Sequence, residues 1–266
     1  MAQSEKGTAL ITGASTGIGA VYADRLAKRG FDLVLVARDQ PRLDALAGRL
    51  RDQSGVSVEV IAADLTAEAD LKTVESRLAT GDITLLVNNA GMSLNGGLLD
   101  NDAATLSRII ALNVMATTRL ASAAGKAFLA AGGGAIINLS SVLALAPESF
   151  DGVYSGTKAF LLNLSQSMAA QLEGRNIRLQ AVLPGATRTE IWKRSGKDDD
   201  ALPEGFVMEV DDLVDAALTG FDRGETVTIP PLPDEGQWTA LQEARLTMGP
   251  NLSKSDVAPR YRAAQA

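Results

Sequence analysis

Thr8-Ala9-Leu10-Ile11-Thr12-Gly13-Ala14-Ser15-Thr16-Gly17-Ile18-Gly19 joins an apolar run to a helical segment through a glycine turn. Residues 8–12 form a short apolar run of strand length, and from 17 onward the residues follow a helical period. A strand that breaks at a glycine turn and enters a helix points backbone amides, and the positive end of the helix dipole, at one spot. That arrangement suits a phosphate. Gly13 permits the tight turn, Gly17 the approach of the phosphates, and Gly19 close packing of helix on sheet. Three glycines at this spacing are a weak signal alone; their place between a strand and a helix makes the turn a nucleotide site.

Outward from this turn, runs rich in Val, Ile and Leu alternate with longer segments of helical period. The patterning predicts strands at 8–12, 32–37, 57–62, 83–88, 134–140, 177–183 and 226–229. Helices are predicted near 17–29, 40–53, 67–79, 102–131, 151–174 and 210–221. Strict alternation of this kind specifies a Rossmann-type, doubly wound α/β fold with a mainly parallel seven-stranded sheet covered on both faces. No repeat or low-complexity linker divides the chain, so 1–266 is expected to form a single domain. Residues 186–209, following Pro184-Gly185, are irregular and are expected to act as a lid over a site. The run Asp198-Asp199-Asp200 within it reads as a solvated loop or, alternatively, a metal or substrate contact.

Composition removes several kinds of function. The net charge is −7 and no basic run exceeds two residues, which leaves no footprint for nucleic acid or an anionic membrane. Cysteine and histidine are absent, so disulfides, thiolate or imidazole metal sites and histidine-based nucleophilic triads are excluded; no metal site is expected. The polar N-terminus lacks a signal-peptide core and no apolar run approaches 18 residues, so a cytoplasmic location is expected.

A chain without histidine needs another proton donor for acid–base chemistry, and Val153-Tyr154-Ser155-Gly156-Thr157-Lys158 supplies a candidate. On a helix the i, i+4 spacing puts Tyr154 and Lys158 on one face, about 6 Å apart along the axis. An ammonium there favours the phenolate and draws the tyrosine below its usual pKa of about 10. The same pairing also arises on ordinary amphipathic helices.

The glycine pattern Thr12-Gly13-x-x-x-Gly17-x-Gly19 resembles that of the short-chain dehydrogenase/reductase family, and Tyr154-x-x-x-Lys158 resembles its catalytic motif. Asn88-Asn89-Ala90-Gly91, Asn113, Ser141 and Pro184-Gly185 follow in the family's order, with Ser141 13 residues before Tyr154; the likeness spans roughly residues 6–190. It implies a nicotinamide cofactor across the carboxyl ends of the strands, with Ser141, Tyr154 and Lys158 at its reactive ring and Asn113 relaying protons through a distorted helix. Ser140 is expected to be structural. Cofactor contacts implied by the resemblance are Gly13, Ser15, Thr16, Gly17, Ile18, Gly19, Asp64, Leu65, Asn88, Asn89, Ala90, Gly91, Tyr154, Lys158, Pro184, Gly185, Thr187 and Thr189, with Ile191 a less secure one. Of the asparagines, Asn88 is preferred, with Gly91, as a contact to adenosine. Asp64 either bonds the adenine or caps the next helix.

The second strand ends Val36-Ala37-Arg38-Asp39, with alanine where an NAD-selective protein usually carries an acid. Arg38 therefore favours NADP(H) over NAD(H), with Asp39 assigned to capping a helix. The implied activity is hydride transfer between NADP(H) and a carbonyl compound or secondary alcohol. Met92, Ser93, Leu94, Leu143, Phe150 and Trp192 adjoin the motifs and are candidates for lining a substrate pocket. Two rival readings are a non-catalytic nucleotide sensor or scaffold, and an epimerase or dehydratase on the same fold. Surplus apolar residues on 102–131 and 151–174 suggest subunit burial, and the family resemblance implies a homodimer or homotetramer through those helices. Beyond residue 190 the likeness weakens, and the prolines at 230, 231 and 233 precede a polar helical tail near 234–266 with Trp238 and Tyr261.

Overall fold

The computed structural model describes residues 6–149, 151–190 and 203–262. Seven strands, β1 (Thr8–Thr12), β2 (Asp32–Ala37), β3 (Val58–Ala62), β4 (Ile83–Asn88), β5 (Gly134–Leu139), β6 (Ile177–Val182) and β7 (Val227–Thr228), form one sheet in the order β3-β2-β1-β4-β5-β6-β7. Every pairing is parallel. The helices between them are α1 (Gly17–Lys28), α2 (Gln40–Ser54), α3 (Glu68–Leu78), α4 (Ala103–Ile110), α5 (Thr117–Ala131), α6 (Gly152–Gln171) and α7 (Val210–Arg223). This is the doubly wound fold that the alternation predicts. β7 is shorter than expected, two residues rather than four, because Pro230 has no N–H to extend the ladder.

The sheet separates two apolar layers because successive strand side chains point to opposite faces. Ala9, Ile11, Leu33 and Leu35 pack with Tyr22, Leu26, Leu43 and Val214 on one side. Leu10, Val34, Leu86 and Ile136 pack with Leu71, Val74, Leu120 and Phe128 on the other. Phe128 is fully buried, which contributes on the order of 2–3 kcal/mol. It lies where a Cβ on Gly134 would be, so the glycine that opens β5 leaves room for its ring. Ion pairs from Arg25 to Asp211 and Asp215, and from Arg29 to Asp222, fasten α1 to α7.

The strand order reverses between β1 and β4, the crevice where an open α/β sheet binds ligands. One sequence expectation is corrected beside it. Residues 102–131 do not form a continuous α-helix: Ala111–Ala116 adopts a π-helical turn between α4 and α5. After β6, Ala186, Arg188 and Met208 join in backbone hydrogen bonds, Met208 N–H to Ala186 O and Arg188 N–H to Met208 O, each 2.9 Å. They close the base of the segment expected to act as a lid; its residues 191–202, including the acidic run, lie outside the described residues.

By contacts the chain divides into two compact units, Met1–Pro230 and Pro231–Ala266. The second holds α8 (Glu235–Met248), a helix with no buried residue, capped by the Asp234 carboxylate, which accepts from Gly236 N–H. Among the described residues no helix is long and apolar enough to cross a membrane.

Candidate active site

The glycine turn is held from beneath by β4. Thr12 Oγ1 accepts from the Asn89 and Ala90 N–H groups, both at 3.0 Å, and Asn89 Nδ2 donates to Thr12 O at 2.9 Å. Gly13 takes a left-handed φ of +68°, and a Cβ there would press on Asn89. A Cβ on Gly19 would collide with the Gly13 carbonyl oxygen, so the close packing of α1 on this turn requires glycine. The cleft beyond has a volume of about 840 Å³, within the usual range of small-molecule sites. Gly13, Ser15, Thr16, Gly17 and Ile18 line one wall; Arg38, Asp64, Leu65, Asn89, Ala90, Gly91 and Thr189 line the rest.

These residues suit a dinucleotide. The first residues of α1 line the cleft at the positive end of the helix dipole, and beyond Ala37 lie the exposed Arg38 and Asp39. Asp39 has the capping task expected of it, accepting from Arg42 N–H at 3.1 Å. Asp64 is not the cap of α3, whose N-cap is Ala67. Its carboxylate accepts from the Thr66 N–H and hydroxyl at 3.0 and 2.7 Å and pairs with Arg108 at 3.3 Å. Although burial opposes it, these bonds hold the Asp64 carboxyl below its ordinary pKa.

Several expected contacts lie elsewhere. Asn88 is buried, donating to Asn138 Oδ1 at 3.1 Å, and does not line the cleft; Asn89 and Gly91 do. The amide of Asn88 is used between β4 and β5 within the sheet. Beyond β6, Pro184 O accepts from Val142 N–H at 2.9 Å and Thr187 donates to Gly185 O at 3.0 Å, which fixes the turn that follows the strand. Leu94 is core, only 1% exposed, whereas Met92 and Ser93 do line the cleft. Phe150, Ile191 and Trp192 lie outside the described residues.

The catalytic candidates meet where β5 ends. Asp151 caps α6 by accepting from Tyr154 N–H at 2.7 Å, which sets Tyr154 in the first turn of the helix. Its hydroxyl is hydrogen-bonded to Ser141. Lys158, 7% exposed, donates from Nζ to Leu139 O at 2.8 Å and lies 5.6 Å from the Tyr154 ring centre. Ser140 Oγ donates to Lys158 O at 2.7 Å, so the two serines divide as expected: Ser140 anchors α6 and Ser141 faces the tyrosine.

Electrostatics depart from the expectation for Tyr154. Burial pushes the phenol up to about 12; the Ser141 hydrogen bond lowers it and the Asp151 charge raises it. Lys158 is not among the leading influences, since it is itself desolvated, its pKa pushed down to about 8, and its ammonium is aimed at a backbone carbonyl.

Asn113 sits in the π turn, 2% exposed, and explains that turn. Its amide donates to Met92 O at 2.9 Å and Thr157 Oγ1 at 3.1 Å, while its Oδ1 accepts from Met92 N–H at 2.9 Å. One side chain thereby ties the loop after β4 to the helix bearing Tyr154 and Lys158. Thr12, Arg108, Asp151 and Thr157 also shape the site without being singled out in the sequence. Asp151 alone left a local sign, an acid three residues before the first-turn Tyr154.

The model of the short chain dehydrogenase family matches residues 7–200. Among solved structures, a short-chain dehydrogenase from Sphingobium yanoikuyae in complex with NADPH is 55% identical and superposes with a TM-score of 0.94, covering 96% of this chain and 100% of that one. A bulky-bulky ketone specific alcohol dehydrogenase from Comamonas testosteroni is 47% identical, TM-score 0.89, over 96% and 98% of the two chains. A bovine very-long-chain 3-oxoacyl-CoA reductase is 33% identical over 75% of this chain and 65% of its own length. The chain thus spans a little under two thirds of that relative's length. Matched over most of its length by the family model, and sharing with these relatives the sheet that carries its glycine turn, the chain belongs to the short-chain dehydrogenase/reductase family.

Proposed function

We propose that the protein is an oxidoreductase that reduces a carbonyl compound to an alcohol with NADPH, with Tyr154 as the general acid and, in reverse, the general base. The observation that carries this reading is the hydrogen-bonded Ser141–Tyr154 pair, backed by buried Lys158, at the strand ends beside the cleft. The bound nicotinamide supplies the hydride. Ser141 and Tyr154 aim their hydroxyls at the substrate oxygen, which gains negative charge as the reaction proceeds. Tyr154, protonated at neutral pH as any phenol is, then gives up its proton, a step that burial opposes and the Ser141 hydrogen bond favours. Asn113 and Thr157 hold the tyrosine helix against the loop after β4 while this happens. The intact catalytic set argues against a sensor or scaffold.

The substrate class favoured is an apolar ketone. Met92 offers apolar surface beside the cleft, and the Comamonas relative is named for bulky ketones. A carbonyl panel followed at 340 nm tests this; an epimerase would show no net change in reduced cofactor.

NADP(H) is favoured because Arg38 lines the cleft where Ala37 leaves no acid to repel a 2′-phosphate, and because the Sphingobium relative binds NADPH. Arg38→Ala is expected to raise the KM for NADPH about 10- to 100-fold, since a charge-assisted bond contributes roughly 1.5–3 kcal/mol, and to leave the KM for NADH within twofold. A wild-type preference of tenfold for NADH overturns the assignment.

A homodimer or homotetramer through α4, α5 and α6 is the proposed assembly. Ile110 (47% exposed), Met115 (56%) and Phe160 (39%) remain on the surface of these helices after the core is filled. Light scattering at micromolar concentration is expected to return two or four chain masses; one chain mass removes the proposal.

A further inference from the structure

Arg42, in the first turn of α2, is held between Asp39 and Glu190, two carboxylates that line the cleft. Its Nη1 contacts both Glu190 oxygens, at 2.9 and 2.8 Å, and its Nε lies 3.3 Å from Asp39 Oδ2. Asp39 directly follows Arg38, while Glu190 directly follows Thr189 on the segment after β6. The Arg42–Glu190 pair therefore joins the start of α2 to the segment after β6, at the rim of the cleft that Arg38 lines. Both side chains are about half exposed, 47% and 44%, and an ion pair in that setting is weak and replaceable.

We propose that Arg42 and Glu190 form a displaceable clasp that sets cofactor selectivity: a 2′-phosphate takes Arg42 from Glu190, so Arg42 attracts the phosphate and Glu190 competes with it. The proposal rests on the NADP(H) reading. A phosphate bearing close to two negative charges offers Arg42 more than one carboxylate does, and Arg38, four residues earlier and lining the cleft, is a second cation for it. A nucleotide lacking that phosphate has nothing with which to exchange, and leaves the clasp shut. Glu190 thus limits how tightly the phosphate is held, and Asp39, occupied as the cap of α2, keeps Arg42 near when the clasp opens.

The test is calorimetric titration of 2′,5′-ADP, 5′-ADP and inorganic phosphate into the wild type, Arg42→Ala, Glu190→Gln and Arg38→Ala, which reads binding without turnover. Arg42→Ala is expected to weaken 2′,5′-ADP at least tenfold and Glu190→Gln to tighten it about three- to fivefold, with 5′-ADP changed less than twofold in either. Inorganic phosphate is expected to bind much more weakly than 2′,5′-ADP; equal affinity would make the site one for free phosphate and overturn the proposal. Unchanged 2′,5′-ADP affinity in Glu190→Gln, or equal weakening of both nucleotides in Arg42→Ala, overturns the clasp while a large Arg38→Ala effect leaves the NADP(H) reading standing. If the wild type does not distinguish 2′,5′-ADP from 5′-ADP, both fall.

Discussion

Tyr154→Phe is expected to lower the turnover number for carbonyl reduction by about 10²- to 10⁴-fold, the span general acid catalysis supplies. Fold and NADPH affinity should stay as they are. The substitution removes one oxygen, whose described partner is Ser141, and leaves the ring and the Asp151 cap of α6 in place. Loss of the proton donor acts on the chemical step, so kcat falls while the KM for cofactor holds. A circular dichroism spectrum and melting curve like the wild type's separate this from misfolding. Retention of more than a tenth of the turnover in the folded variant would refute the assigned mechanism.

Lys158→Met is the second large effect, and it divides activity from stability. Reduction is expected to drop at least about 10²-fold, because the variant lacks the buried ammonium that the family resemblance places at the cofactor's reactive ring and the Nζ bond to Leu139 O that holds this end of the site. For stability the sign follows from burial, which lowers the lysine from 10.5 in the open chain to about 8 in the fold. Below pH 8 the lysine is charged in both states and the folded state bears the whole desolvation penalty. Between about 8 and 10.5 the unfolded chain holds a proton that the folded protein has released, so wild-type stability gains as pH rises. The full difference is about 3 kcal/mol at roughly 1.4 kcal/mol per pKa unit. Met bears no such penalty, though it leaves Leu139 O without its donor at any pH. Denaturant unfolding at pH 7.5 and pH 10 should therefore show the variant losing ground to the wild type by up to this amount. A difference that does not move with pH would mean that the lysine is not strained by burial. In wild-type reduction, activity should likewise decline as pH rises through about 8 and the lysine loses its charge.

How much of the site was legible depended on how far apart in the chain its partners lie. The strand–turn–helix at 8–28 was readable because its logic is local: an apolar run, a glycine that can turn, and a helical period. The π turn left no local mark, since Ala111-Leu112-Asn113-Val114-Met115 keeps an ordinary helical pattern, and only the family resemblance implied a distortion at Asn113. What distorts it is Asn113 bonding to Met92 and Thr157, 21 and 44 residues away. Asn88 and Asn89 are adjacent and of one type, yet a strand sends them to opposite sides, one into the sheet with Asn138 and the other under the glycine turn.

From sequence alone came the alternation of strands and helices and the glycine turn between β1 and α1, because period and turn chemistry act over a few residues; the grouping of Ser141 with Tyr154 and Lys158 came from the family resemblance. Tertiary structure decided which atoms face the cleft and what charge they carry. The Arg42–Glu190 pair spans 148 positions, and the raised Tyr154 and lowered Lys158 are products of burial. Desolvation and long-range pairing depend on the packed chain as a whole, and no local pattern encodes them.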